Sequence, residues 1–301
     1  MWFPQPARCV SNIHTLQITN LVSHHSYNPL SLYSIMAPPR IAVLGATGST
    51  GGGVLKNLLQ QDVGINVYVR SKSKLVKMFP SVATDDRVSI FEGSVSDAAL
   101  MKELLADVGT IVLALGENDN RPGTCVIANA SQSIMTALQG SREQNKDFSP
   151  PRLILLSSSS WNETFVATQP WILIKIIRLA FYYTYQDLLR GVKVLCSRPD
   201  LVRVMLMQPG ALVEEEGSGY DLSTELCGVA TSYSDLSRAF TEVALEDRYC
   251  DVPAILVTSK AGYKFEKYAH IILPKVVKGL AASFIPGFWT VHDFVVSLWK
   301  Q

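Results

Sequence analysis

The sequence predicts an α/β protein built on a doubly wound parallel sheet, with a small portion added at the C-terminal end. Three features carry that expectation. Short apolar runs alternate with stretches of helical periodicity from Arg40 to about Lys260. The joins between them are short. The first run ends in a glycine-rich turn that opens directly into a helical stretch.

Taken in order, Arg40-Ile41-Ala42-Val43-Leu44 is apolar throughout its centre, the pattern of a parallel strand covered on both faces. Gly45 to Gly53 follows, and Val54 to Leu59 has helical spacing. Ile65 to Arg70 reads as the second strand, and Leu75 to Met78 as a short helix closed near Pro80. Val88 to Gly93 is the third strand. Asp97 to Leu105 is a helix, with Asp97 near its N-terminus, where a carboxylate is favoured. Thr110 to Leu115 is the fourth strand and Thr124 to Leu138 the next helix. Arg152 to Leu156 is the fifth strand, followed by Trp171 to Leu189 as one long apolar helix carrying a cluster of tyrosines. Leu201 to Met207 is the sixth strand, stopped by Pro209-Gly210. Ser234 to Glu246 is a helix and Ala254 to Thr258 a late strand.

Residues 1–39 read as a disordered or misassigned extension: they hold no acidic residue, and Arg8 is the only Arg or Lys before Arg40. The working protein is expected to start near Met36. Residues 40–301 form a single domain, with a substrate-binding portion mainly in 211–301. The chain from Lys264 to Gln301 is apolar and aromatic, but Pro286, Gly287, His292 and Asp293 interrupt it, so no transmembrane span is expected. That segment can pack on the domain, line an oily pocket, form a homodimer face or rest on a membrane surface; the pattern leaves these open.

Composition narrows the partners. A formal net charge of +1, with no Lys/Arg stripe, argues against nucleic acid. Cys9, Cys125, Cys196, Cys227 and Cys250 stand singly, without a CxxC pair. No disulfide scaffold or thiolate metal site is expected, and a reducing, cytoplasmic setting fits. His270 and His292 lie far apart in the chain, so no metal centre is expected.

Gly45, Gly48 and Gly51 form a GxxGxxG motif between a strand and a helix, the Rossmann-type order. Such a turn brings backbone close to a pyrophosphate and aims free helix N–H groups at it. Thr47, Ser49 and Thr50 can add hydroxyl donors. The second strand ends at Arg70, followed by Ser71 and Lys74, where an NAD-selective site usually has a carboxylate. A guanidinium there suits a 2′-phosphate, so NADP(H) is the expected cofactor. After the fourth strand, Gly116 permits close passage of the chain past the cofactor, and Asn118 or Asn120 can reach its ribose or amide; a plain polar capping loop explains these asparagines equally well.

The ordered set resembles the NAD(P)H-binding branch of the atypical short-chain dehydrogenase/reductase family. The marks are Gly45-Ala46-Thr47-Gly48-Ser49-Thr50-Gly51, Arg70, Leu155-Leu156-Ser157-Ser158-Ser159, Met207-Gln208-Pro209-Gly210 and Ser234-Asp235-Leu236-Ser237-Arg238. The overall character is similar to fungal enzymes that tailor aromatic polyketides, averufin-oxidase-like proteins among them, which implies secondary metabolism. The resemblance also implies serine, tyrosine and lysine at the reacting carbonyl, the last two as YxxxK on one helix face. That pair is incomplete here. Tyr182 is followed at the fourth position by the neutral Gln186, and Lys175 lies too far upstream for the usual spacing. Ser158 or Ser159 can still polarise a substrate oxygen, and Tyr182 or Tyr185 can still donate a proton; a hydroxyl-rich loop and a packed aromatic helix face are the plainer alternative. Trp161 and Phe165 are expected in an apolar substrate wall.

The leading expectation is therefore an NADPH-dependent oxidoreductase acting on an apolar aromatic or polyketide-like small molecule. Two others stand beside it: a non-redox isomerase, cyclase or dehydratase on the same fold, and a non-catalytic NADP(H)-sensing regulatory protein.

Overall fold

The apolar runs become strands because neighbouring side chains must leave water on both sides of the chain at once. The computed structural model describes residues 40–299 apart from 168, 227, 263 and 264. The expectation for residues 1–39 lies outside the described residues.

The strands are β1 (Arg40–Leu44), β2 (Gly64–Val69), β3 (Val88–Glu92), β4 (Val108–Leu113), β5 (Arg152–Leu156), β6 (Arg203–Pro209), β7 (Ala211–Val213), β8 (Tyr220–Ser223), β9 (Ala230–Ser232) and β10 (Ala254–Ser259). An eight-stranded sheet has the order β3-β2-β1-β4-β5-β6-β10-β8, while β7 and β9 form a separate pair. All its pairings are parallel except β10 with β8. Strand order reverses between β1 and β4, where a crevice opens beyond the carboxyl ends of an open sheet.

Alternate residues of β1 serve two cores. Ile41 and Val43 pack with α1 (Ser49–Leu58), α2 (Lys72–Met78) and α8 (Tyr233–Leu245). Ala42 and Leu44 pack with α3 (Ala98–Leu104), α4 (Val126–Gln144) and α7 (Tyr182–Leu195) on the opposite face. Asp97 caps α3 by accepting the Ala99 and Leu100 N–H groups, and Ser71 caps α2 by accepting from Lys74. Within the C-terminal portion, β8, β10 and α8 belong to the main sheet and its helical layer, so 211–301 is not a separate body.

One expectation changes. The predicted long helix from Trp171 to Leu189 is broken at Phe181, after the short α5 (Glu163–Ala167), into α6 (Trp171–Ala180) and α7. The break has a partner: the Tyr183 N–H at the start of α7 donates to Asn120 Oδ1 at 2.7 Å. Asp187 lies further along α7. It is 1% exposed and accepts the Ile127 and Ala128 N–H groups, capping α4. Its neighbours on α7 pack against α4, which leaves the carboxylate no route to water.

The C-terminal helices are α9 (Phe265–Phe284) and α10 (Phe288–Trp299). Gly279 lets α9 sit directly on α6, for a Cβ there would lie on the Ala180 carbonyl oxygen. Among the described residues, no helix is long and apolar enough to cross a membrane.

Candidate dinucleotide and hydroxyl site

The turn after β1 is shaped by missing side chains. Gly45 has φ +105°, a left-handed conformation that disfavours other residues. A Cβ on Gly51 would meet the Gly45 carbonyl oxygen at 2.3 Å. The Gly48 N–H donates back to that oxygen at 2.9 Å, which closes the turn. Gly48 then serves as N-cap of α1 with no side-chain cap, and no acidic residue lies in the helix's first turn. The contrast with the side-chain caps of α2 and α3 is informative: the head of α1 is left to an external acceptor, and its dipole favours an anion. A cradle that a Cβ would fill, at the mouth of an uncapped helix, fits a pyrophosphate.

The other expected cofactor residues ring this turn. Thr47 is half-buried and Ser49 exposed, whereas Thr50 is 5% exposed and its carbonyl accepts from Ser237 at 3.1 Å. Arg70 is exposed just past β2, and its charge partly offsets the burial that raises the Tyr68 pKa. Ser71 and Lys74 lie beside it on α2, with the Ser71 hydroxyl also 2.9 Å from Ser73 Oγ. Gly116 and Asn118 are exposed after β4, and a Cβ on Gly116 would meet nothing within 4 Å. Asn120 is different. It is 3% exposed, and besides Tyr183 it binds the Gly279 carbonyl at 2.9 Å and Ser283 Oγ at 2.8 Å. Its polar atoms hold α7 and α9 against the β4 loop, which decides for the structural role over a ribose contact.

At the end of β5 the structure gathers hydroxyls. Ser158 Oγ lies 3.2 Å from Tyr185 Oη and 2.9 Å from Ser160 Oγ. Ser160 Oγ donates to Tyr185 Oη at 3.1 Å. Trp161 meets Tyr185 edge-on at 5.7 Å. Ser159 is buried in the short helical turn Ser159–Trp161, and Tyr182 packs against Tyr183 at 5.2 Å instead of joining the cluster. Ser160 escaped the sequence reading, although the run Ser157 to Ser160 was its signal. Arg178 escaped it too. Its guanidinium donates to the Ser160 carbonyl at 2.7 Å and stacks on Trp161 at 4.3 Å. Burial lowers the Arg178 pKa, and the charges of Tyr185 and Glu163 oppose that shift.

Trp161 also lines an apolar groove of about 290 Å³ beside α7 and β6, with Asn162, Leu188, Val192, Leu206 and Gln208. Ser157, the chain neighbour of Ser158, also lines it. Phe165, on α5, is half-buried close by in the chain, and its N–H donates to Asn162 Oδ1. Gln208 accepts from Asn162 Nδ2 at 2.9 Å.

A glycine cradle at the switch point of a parallel sheet defines a dinucleotide-binding α/β domain of the Rossmann type. The profile of the family described as NAD(P)H-binding matches residues 45–244, and the chain belongs to that family. The oxidoreductase ordB of Dothistroma septosporum is 33% identical over 251 residues, covering 83% of this chain and 92% of that one. The oxidoreductase aflX of Aspergillus parasiticus is 29% identical, covering 85% of this chain and 95% of its own. A solved short-chain dehydrogenase/reductase from Veillonella parvula, in complex with NADP, shares the fold with TM-score 0.57 at 19% identity; the match covers 75% of this chain and 97% of that one. The protein is an NAD(P)H-binding oxidoreductase, as the resemblance implied.

Proposed function

We propose that the protein is an NADPH-dependent reductase of an apolar aromatic or polyketide-like carbonyl compound, working in fungal secondary metabolism. The observation that carries this reading is the Ser158–Tyr185 contact at 3.2 Å, at the end of a strand adjoining the switch-point crevice. Gly45, Gly48 and Gly51 shape the pyrophosphate cradle, with Thr47, Ser49 and Thr50 around it. Gly116 and Asn118 flank the nicotinamide side, and Arg70 with Ser71 and Lys74 receives the 2′-phosphate. NADPH, when bound, supplies hydride to the carbonyl carbon.

The side chains manage the oxygen. Ser158 Oγ orients the carbonyl through a hydrogen bond. Tyr185 passes its phenolic proton to the oxygen as negative charge develops there, and solvent restores that proton afterwards. Trp161, Phe165 and the apolar groove beside α7 favour a flat, weakly polar substrate.

The test is NADPH oxidation with a panel of naphthoquinones, anthraquinones and aryl ketones. Tyr185→Phe is expected to lower kcat by about 10²-fold or more while leaving NADPH binding within a few-fold. Undiminished turnover by this variant would remove Tyr185 from the mechanism. Failure of the wild-type protein to oxidise NADPH with any of these compounds would reject the carbonyl-reductase reading.

A further inference from the structure

The fourth residue after Tyr185 is Leu189, so the lysine of the usual YxxxK pair is absent. A phenol that gives up a proton needs donors or positive charge near its oxygen. The fold supplies both from elsewhere. We propose that Arg178 is the positioning residue for Tyr185, taking the place of the absent helix lysine by holding the Ser160 donor and presenting its charge to the phenol. This rests on the reading of Tyr185 as proton donor.

The geometry is a short relay. Arg178 projects from α6, before the chain breaks at Phe181 and turns into α7. Its Nε and Nη2 both donate to the Ser160 carbonyl, at 3.1 and 2.7 Å. That double contact fixes the turn Ser159–Trp161. The Ser160 hydroxyl of the same turn donates to Tyr185 Oη at 3.1 Å. Trp161 touches both ends: Arg178 lies over its face, and Tyr185 is nearly perpendicular to it.

A donor already aimed at the phenol oxygen strengthens as negative charge develops there in the reaction, so the relay stabilises that charge. The charges felt at Arg178 are those of Tyr185 and of Glu163 on α5. The guanidinium is half-buried and stays charged at any working pH. Its field reaches Tyr185, partly screened by water. Lys175, the cation that the sequence offers on the same helix, sits instead over Trp171 at 6.0 Å, on the exposed side.

The test compares Arg178→Gln with Arg178→Lys and Ser160→Ala by two readouts. The first is quinone-dependent NADPH oxidation. Arg178→Gln is expected to lower kcat by about 30-fold with the KM for NADPH within about twofold, while Arg178→Lys keeps most of the activity. The second needs no substrate or cofactor: nitration of Tyr185 by tetranitromethane at pH 8, followed by peptide mass mapping. This reagent attacks the phenolate. Tyr185 nitration is expected to slow about tenfold in Arg178→Gln and to slow also in Ser160→Ala, but not in Arg178→Lys. A merely structural loosening would expose the ring and accelerate the reaction.

Nitration unchanged or accelerated in Arg178→Gln overturns the proposal, as does equal behaviour of the Gln and Lys variants in both readouts. If Arg178→Gln does not fold, Ser160→Ala decides, because it removes only the hydroxyl link. Loss of the donor reading shows up separately, as full turnover by Tyr185→Phe, while the nitration contrast still judges Arg178.

Discussion

Two stretches of the same rim are built by different means. Beside β1 the chain makes its site from backbone: a left-handed glycine, a closed turn and an uncapped helix head, all between Gly45 and Gly51. Beside β5 the chain makes its site from side chains contributed by the Ser158–Trp161 turn, α6 and α7, and Asn120 of the β4 loop anchors α7 from outside. A backbone site can be written in a few consecutive residues because nothing distant has to arrive. A side-chain site depends on helix packing, and one break at Phe181 sets which of the tyrosines reaches the serines.

If that contrast is sound, substitutions at the two stretches should differ in kind. The largest effect is expected from Gly51→Val. Its Cβ would overlap the Gly45 carbonyl, so the turn must open, and NADPH affinity should fall by about a hundredfold or more in a calorimetric titration. Near-native affinity would show that the cradle does not grip the dinucleotide. Next comes Asn120→Ala, which strips partners from the half-buried Tyr183 N–H and from the Gly279 carbonyl. Denaturant unfolding should report a loss of about 2–4 kcal/mol, with turnover falling further than NADPH binding. Loss of cofactor binding alone would contradict the separation of the two stretches.

Arg70→Ala sharpens the comparison from the cofactor side. It should weaken NADPH by about tenfold while NADH changes little, the cost of one charge-assisted contact. Parallel losses for the two dinucleotides would assign Arg70 no part in choosing between them.

The smallest effect concerns the C-terminal strap. Asp293 of α10 binds Arg121 at 2.8 and 2.9 Å, and Trp289 donates to the Asn120 carbonyl at 2.9 Å. The Arg121 hydrogen bonds, aided by His292, hold the Asp293 carboxyl well below its usual range. A depressed pKa in the docked state stabilises docking above the ordinary carboxylate range, and this contribution is lost as pH falls below about 4. Hydrogen-exchange protection of α10 should therefore drop modestly between pH 6 and pH 3, and Asp293→Asn should lack that step. Identical pH responses in both proteins would detach this ion pair from the docking of α10.

Much of the first stretch was legible beforehand. Strand order in the chain, the glycine spacing and the basic turn after β2 are local patterns, and the alternating apolar runs impose two buried faces whatever the details. The hydroxyl stretch was legible only as a shortlist. Ser158, Ser159, Tyr182 and Tyr185 were all plausible, and helical periodicity drawn through Phe181 could not choose among them. Arg178 was hidden because its signal, a cation in the apolar run Trp171 to Ala180, is shared with Lys175. Asn120 looked like a loop residue that could face a ligand, but burial of its amide against α7 and α9 claimed it for the scaffold.

The sequence alone determined the layered α/β frame and the glycine turn at its switch point, since hydrophobic alternation and backbone freedom act over a few neighbouring residues. Tertiary structure alone decided which tyrosine meets which serine and which cation stands behind them. Those groups are far apart along the chain, and only the docking of α6, α7 and α9 around a buried asparagine fixes their separation.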